Sequence, residues 1–566
     1  MTGALLAKAT AVHAATIPDK LALPPIRYLA ILPPMILIGG AVLLLGVASL
    51  VSRPLRVRVA TWATVVIAGG SLGISLWQWA DVQAHGAHTY VANAVVMDGF
   101  SVFINILIAS AMIVTALVAD GYLQREGGHG AEFHVLAMVS AAGAMLMGSA
   151  DDLIIIFLGL EILSIALYVL TAFNNRRAAS GEAALKYFLL GGFSSAIFIY
   201  GVALTYGATG TTNLTQIADF LAKNVLLTNG LLLAGLGLML VGFAFKVAAV
   251  PFHMWTPDVY QGAPSPVTGF MAAVAKAGAF AALLRVLYLA YGTQTTDWRP
   301  IIYGLAVLSL VLGAVLALRQ RDVKRMLAYS SINHAGFILL GVESATSRGV
   351  SASLYYLFAY TFMTIGSFAI VAVLGREGDV DHDLTRYRGL ARRQPVLALS
   401  FAVLLLAQAG APFTTGLWAK LSVVAAAIGG GGVVLGIIAM VTAAIAAYFY
   451  LRLAALMYAG TPRGDQVGSP ATGSGSVASA APSTASPAAW ASPEAVASTV
   501  ATINNEMLLT GEPASTFGED SPSVVAVPVL SRIAIGLTLA VTVIFGFWPA
   551  PLTDFAHAAT LLFIGH

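Results

Sequence analysis

The sequence predicts an all-α polytopic membrane protein of about 14 transmembrane helices, and three observations carry that prediction. Apolar residues make up 58% of the chain and charged residues only 10%, where soluble domains hold about 25% charged. Mean hydropathy is +0.85. Apolar runs of about 18–25 residues recur from one end of the chain to the other, each long enough to cross a hydrocarbon core of ~30 Å. A transmembrane β-barrel would show short alternating segments instead.

Taken in order, the spans fall at roughly 28–50, 57–79, 99–119, 132–149, 152–173, 185–207, 229–250, 265–290, 301–318, 324–341, 351–374, 395–428 (interrupted), 433–458 and 532–550, from the length rule alone. Residues 1–27 read as a retained tail, because Lys20, Pro24 and Pro25 break their apolar runs and a full span follows directly. Positive charge collects after odd-numbered spans, at Arg53, Arg56 and Arg58, at Arg176 and Arg177, at Arg319, Arg321, Lys324 and Arg325, and between Arg376 and Arg393. Loops after even-numbered spans carry little, so both termini are expected outside a bacterial cell membrane. Residues 461–528 are rich in Ala, Ser, Pro, Gly and Thr and read as a low-complexity cytoplasmic linker before the last span and tail, 529–566.

Composition also excludes several functions. A net charge of +3 is too small for nucleic-acid binding, and the absence of cysteine rules out a disulfide frame, a thiolate zinc site and a cysteine-ligated iron–sulfur cluster. No GxxxxGK[ST] loop is present to bind a nucleotide.

Two spans are broken. The seventh ends at Lys246-Val-Ala-Ala-Val-Pro251, and the twelfth is interrupted at Gln408-Ala-Gly-Ala-Pro412, with Lys420 following. Proline removes a backbone hydrogen bond, and lipid tolerates this only where protein or water satisfies the freed groups. Paired broken helices suggest an inverted repeat with ion sites at the breaks. The halves would be 132–290 (spans four to eight) and 291–460 (spans nine to thirteen), preceded by spans one to three in 28–131.

The buried ionisable residues are the functional candidates, since each costs several kcal/mol at the bilayer centre, roughly 2.5–3.5 on insertion scales. Glu161 lies mid-span five with no charged neighbour within two turns, so its partner must come from another helix, and Lys246 is the candidate. Lys276 and Lys420 lie too deep to reach the headgroups easily. His334, about ten residues into span ten, is either a core histidine or part of a proton path. Lys186 stands at the start of span six, where it either snorkels or flanks the path. His253 and Asp258 either feed protons inward or cap a re-entrant turn. Lys324 and Arg325 read as positive-inside anchors, Arg285 as structural, and Asp151 and Asp152 as caps of span five. Driving one charge against ~150 mV needs about 3.5 kcal/mol, within reach of breaking and remaking one buried ion pair.

The stretches GLEILSIALYVLTAF, GEAALKYFLLGGFSSAIFIYGVALTYGATGTTNL, FKVAAVPFHMWTPDVYQGAPSPVTGFMAAVAKAGAF and DVKRMLAYSSINHAGFILLG closely resemble the subunit N family of bacterial NADH–quinone oxidoreductase (respiratory complex I), similar to mitochondrial NADH dehydrogenase subunit two. The resemblance implies antiporter-like inverted repeats and a proton-translocating membrane subunit of a translocase. It implies that Glu161 pairs with Lys246, that Lys276 relays protons laterally, that Lys420 lies on the outward exit side, and that Lys186 and His253 occupy functional positions. It also implies that NADH, FMN, iron–sulfur clusters and quinone belong to partner subunits, among them a neighbouring antiporter-like subunit and small quinone-side subunits. The alternative is a secondary cation/proton antiporter. Sodium exchange would call for an oxygen-rich site, whereas lysine dominates here.

Overall fold

The computed structural model describes residues 28–127, 130–224, 229–375, 377–380, 382–459, 526–559 and 561. The expected N-terminal tail lies outside the described residues, as does the expected linker except for 526–528, which lead into the last span.

Among the described residues the chain forms fourteen spans, two of them divided. Spans one to six are Leu32–Leu50, Arg53–His85, Gly99–Glu126, Gly130–Ser149, Leu153–Thr171 and Ala178–Thr209. Span seven is Gly230–Val247, followed by the short helix Trp255–Gly262. Spans eight to eleven are Ser265–Ala290, Thr295–Leu318, Val323–Glu343 and Ser347–Leu374. Span twelve is split into Pro395–Ala409 and Thr415–Gly429, and Val433–Tyr458 and Val529–Phe547 complete the set. Twelve of these are long and apolar enough to cross a membrane unaided. Span ten falls short because it carries Lys324, Arg325, Asn333, His334 and Glu343. Both halves of span twelve are short.

Spans two and six run well beyond the 57–79 and 185–207 expected. Apolar runs report only the part of a helix that lies in hydrocarbon, and these two continue into polar sequence. Lys186 is therefore two turns inside span six and not at its start. Two polar elements have no counterpart in a reading based on apolar runs: a hairpin pairing His88–Tyr90 with Val95–Met97, and the amphipathic helix Leu214–Lys223, capped by the Asn213 side chain.

Span eight is the axis of the bundle, and its whole apolar window is buried. Spans three and eleven flank it, nearly as deeply buried, and are apolar around their circumference, as core helices must be. Outer spans turn side chains such as Val42, Trp62, Phe193 and Val441 outward. Span eight is also tied to span three. The Arg285 guanidinium is fully buried, forks onto the Asp98 carboxylate at 2.9 and 3.0 Å, and donates to the Gly148 carbonyl. Asp98 in turn caps span three through a capping box with Ser101. Arg285 thus ties spans three, four and eight together.

The two halves repeat a backbone signature. Before span five, Leu153 N–H donates to Thr212 O and Leu214 N–H to Asp151 O. Before span ten, Val323 N–H donates to His382 O and Leu384 N–H to Arg321 O. Asp152 and Asp322 cap the two spans at equivalent positions. Asp151 does not cap. It is buried and accepts from Asn213 and Thr215, and burial pushes its carboxyl up to about 6 against those hydrogen bonds.

Candidate functional site

Each broken span places a lysine at the carbonyl end of a half-helix. Lys246 lies in the last turn of Gly230–Val247, where a cation complements the helix dipole. The chain then turns through Ala248, at φ 62°, and a cis Val250–Pro251 bond. Lys246 is 3% exposed. Its Nζ donates to Ser164 Oγ at 2.7 Å and Tyr187 Oη at 3.2 Å and lies over the Tyr168 and Tyr187 rings.

The structure does not bring Glu161 and Lys246 into an ion pair. Ser164, one turn along from Glu161, takes the amine instead and itself donates to Leu160 O. Glu161 is half-buried, and its Oε1 is enclosed without a hydrogen-bond partner.

Lys276 follows a π-type turn, Met271–Ala275, in span eight. Such turns displace a helix's register and recur at functional positions. Nζ donates to Ser331 O at 2.5 Å and Ser331 Oγ at 2.6 Å. Ser331 Oγ also accepts from Tyr360 Oη at 2.7 Å and lies 3.4 Å from Tyr260 Oη.

One turn further, His334 is held by two phenols, with Nδ1 2.7 Å from Tyr356 Oη and Nε2 3.0 Å from Tyr450 Oη. Tyr450 bonds Ser330, and Gln408 lies 3.4 Å from Tyr450 while donating to Ser367 at 2.7 Å. Both ring nitrogens are engaged, so the imidazole can accept a proton on one side and give one up on the other.

Lys420 belongs to the second half of span twelve but reaches back over the break. Its Nζ donates to Ala409 O at 2.7 Å, at the end of Pro395–Ala409, and sits 5.0 Å from the Phe337 ring centroid. The break uses Gly410 at φ 92° and Phe413 at φ 64°. A Cβ on Gly416 would lie 1.7 Å from Ala407 O, so only glycine fits there.

The remaining candidates gather at one end of the bundle. Lys186 bonds Glu182 at 2.7 Å and Asp258 at 2.9 Å, and Arg325 bonds Asp258 at 2.6 Å and Gln261. Around them lies a polar cleft of about 270 Å³. His253 sits in the turn before Trp255–Gly262, half-buried, with Nδ1 enclosed and without a partner.

Lys324 is no interfacial anchor. It is fully buried, donates to Ala263 O at 2.6 Å and pairs with Asp379 at 3.1 Å. Asp379 also receives Ser265 N and Oγ and lies 3.1 Å from His382 Nε2. Burial works against the Asp379 carboxylate, but the Lys324 charge and these hydrogen bonds outweigh it and hold the group well below the ordinary carboxylate range. Among the described residues, no group of three or more His, Cys, Asp or Glu is placed to hold a metal.

Sequence reasoning missed the hydroxyl partners: Ser164, Tyr187, Ser331, Tyr360, Tyr356 and Tyr450. The repeat offers a signal for some of them. Counting nine and twelve residues on from Asp152 reaches Glu161 and Ser164, and from Asp322 it reaches Ser331 and His334.

Residues 150–446, which hold every ionisable candidate above except the Tyr450 phenol, match the family described as NADH:quinone oxidoreductase/Mrp antiporter, TM. NADH-quinone oxidoreductase subunit N of Mycobacterium bovis is 36% identical over 95% of this chain and 99% of its own length. The subunit N of Trichlorobacter lovleyi is 45% identical over 65% of this chain and 75% of its own. A chain of respiratory complex I from Thermus thermophilus superposes with a TM-score of 0.70 at 29% identity, covering 92% of this chain and 98% of that one. With a family match over half its length and a relative aligned nearly end to end, the chain belongs to the NADH-quinone oxidoreductase subunit N family.

Proposed function

We propose that this chain is the proton-translocating membrane subunit of an NADH–quinone oxidoreductase, driven by redox chemistry in other subunits. The observation that carries the reading is the row of buried amines, Lys246, Lys276 and Lys420, each hydrogen-bonded to protein groups in the bundle interior. A desolvated lysine exchanges its proton when a neighbouring charge or hydrogen bond shifts. Glu161, with an oxygen free of partners, receives the charge shift from a neighbouring subunit. Its approach to Lys246 in place of Ser164 would hold the amine protonated, and its withdrawal would release the proton. Lys276 and His334 pass protons along the axis, Lys186 and His253 flank the uptake end, and Lys420 releases them. Both termini face outward under the positive-inside rule, and NADH, FMN, clusters and quinone are handled by partner chains.

Sodium/proton exchange is the competing reading. It is disfavoured because the interior groups are amines, an imidazole and phenols, and sodium needs a cluster of oxygen ligands. The deciding experiment uses the assembled complex carrying Lys246→Ala. Pumping coupled to NADH oxidation should fall while the complex still assembles, and an unchanged proton-to-electron ratio would overturn the assignment.

A further inference from the structure

A groove of about 460 Å³ lies between the start of span eleven, the second half of span twelve and the short helix Ala550–Ala558 that follows span fourteen. None of the proposed proton carriers lines it. Span eleven contributes Arg348 and, seven residues on along the same face, Tyr355, which places the two about 10 Å apart in depth. Span twelve contributes Trp418 and Leu421, 40% and 41% exposed, as an open apolar wall. The short helix brings Asp554 and His557 to the rim.

Among the described residues, four polar side chains lining this groove have no hydrogen-bond or ion-pair partner: Arg348, Tyr355, Asp554 and His557. The Arg348 guanidinium and the Asp554 carboxylate are exposed, and among the described residues neither has a side-chain partner nor pairs with the other. Tyr355 is 3% exposed, yet its Oη has no hydrogen-bond partner. A buried hydroxyl left unmatched is costly, so its position favours a ligand that brings an acceptor to it. A separated cation and anion on one rim match a dipolar headgroup better than a simple anion, which Asp554 would repel. The apolar wall below suits a hydrocarbon chain.

We propose that this groove binds a phospholipid with a phosphoethanolamine headgroup. Arg348 takes the phosphate as a charge-assisted pair, Asp554 takes the ammonium, Tyr355 donates to a glycerol ester oxygen, and one acyl chain lies over Trp418 and Leu421.

The test is made on the assembled complex in detergent, exchanged against phosphatidylethanolamine, phosphatidylglycerol or soluble phosphoethanolamine and read by native mass spectrometry. Phosphatidylethanolamine should be retained, and the soluble headgroup should not. Arg348→Gln should weaken retention roughly tenfold or more, and Asp554→Asn should shift preference toward phosphatidylglycerol by a similar factor. Tyr355→Phe, which preserves shape, should weaken retention of both lipids several-fold. Equal retention by wild type and all three variants would overturn the proposal. So would density for the assembled complex in which a neighbouring subunit's side chains fill the groove.

Discussion

Lys420 Nζ donates to the carbonyl of Ala409 across a broken helix, at 2.7 Å. Lys246 reaches the equivalent place, the carbonyl end of a half-helix, from within its own last turn. Exposed carbonyl ends carry partial negative charge. A broken helix therefore frees backbone acceptors that tolerate a buried ammonium.

Lys420→Arg separates charge from exchange. Arginine keeps a cation beside the Ala409 carbonyl but cannot release a proton at physiological pH. The variant complex should assemble and oxidise NADH while its proton-to-electron ratio falls toward that of Lys420→Ala. Retained stoichiometry, measured in proteoliposomes, would remove Lys420 from the path.

His334→Leu should strand one buried phenol, Tyr356, at a cost of about 1–3 kcal/mol, while Tyr450 keeps Ser330, and should lower both the thermal midpoint and pumping. His334→Gln can still engage Tyr356 and Tyr450, so it should restore most of the stability but not the pumping. Parallel recovery of both quantities would mark His334 as purely structural.

Gly416→Ala should prevent assembly. The added methyl would overlap a backbone carbonyl, not a side chain that can turn aside. Blue-native gels should show loss of this subunit from the complex, whereas Gly429→Ala, with open space around it, should assemble normally.

Lys324→Met leaves the Asp379 carboxylate buried without its cation, a loss of about 3–5 kcal/mol. The double variant with Asp379→Leu should be less destabilised than the sum of the single changes, as thermal melts of the intact complex can read. Because the folded-state value of Asp379 is depressed, its contribution is fully present above the unfolded carboxylate value of about 3.9. It is lost only as pH falls below that. Melts between pH 5 and 8 should thus show no titration from the Asp379 carboxylate.

The architecture was legible because its determinants are local. Apolar run length reveals spans, and Pro251 and Pro412 reveal the breaks. The amines Lys246, Lys276 and Lys420 stood out because lysine is scarce in such surroundings. Their partners did not. Ser164 and Tyr187 are unexceptional in an apolar helix and acquire meaning only when spans five, six and seven pack together. Lys324 was misread for a related reason. At the mouth of span ten, beside Arg321 and Arg325, it has the sequence context of an anchor, and only the loop carrying Asp379, folding back against it, turns it inward. Glu161 and Lys246 were matched by charge, but the geometry puts the Ser164 hydroxyl on the amine instead.

The Ser331 hydroxyl accepts from Lys276 and from Tyr360 at once, yet it owns a single hydrogen. Having handed that hydrogen on and taken another, it faces the wrong way for the next transfer until its C–O bond rotates. Under the proposed function, the centre of the bundle would act as a turnstile, with each proton that used Ser331 waiting on one rotation of its hydroxyl.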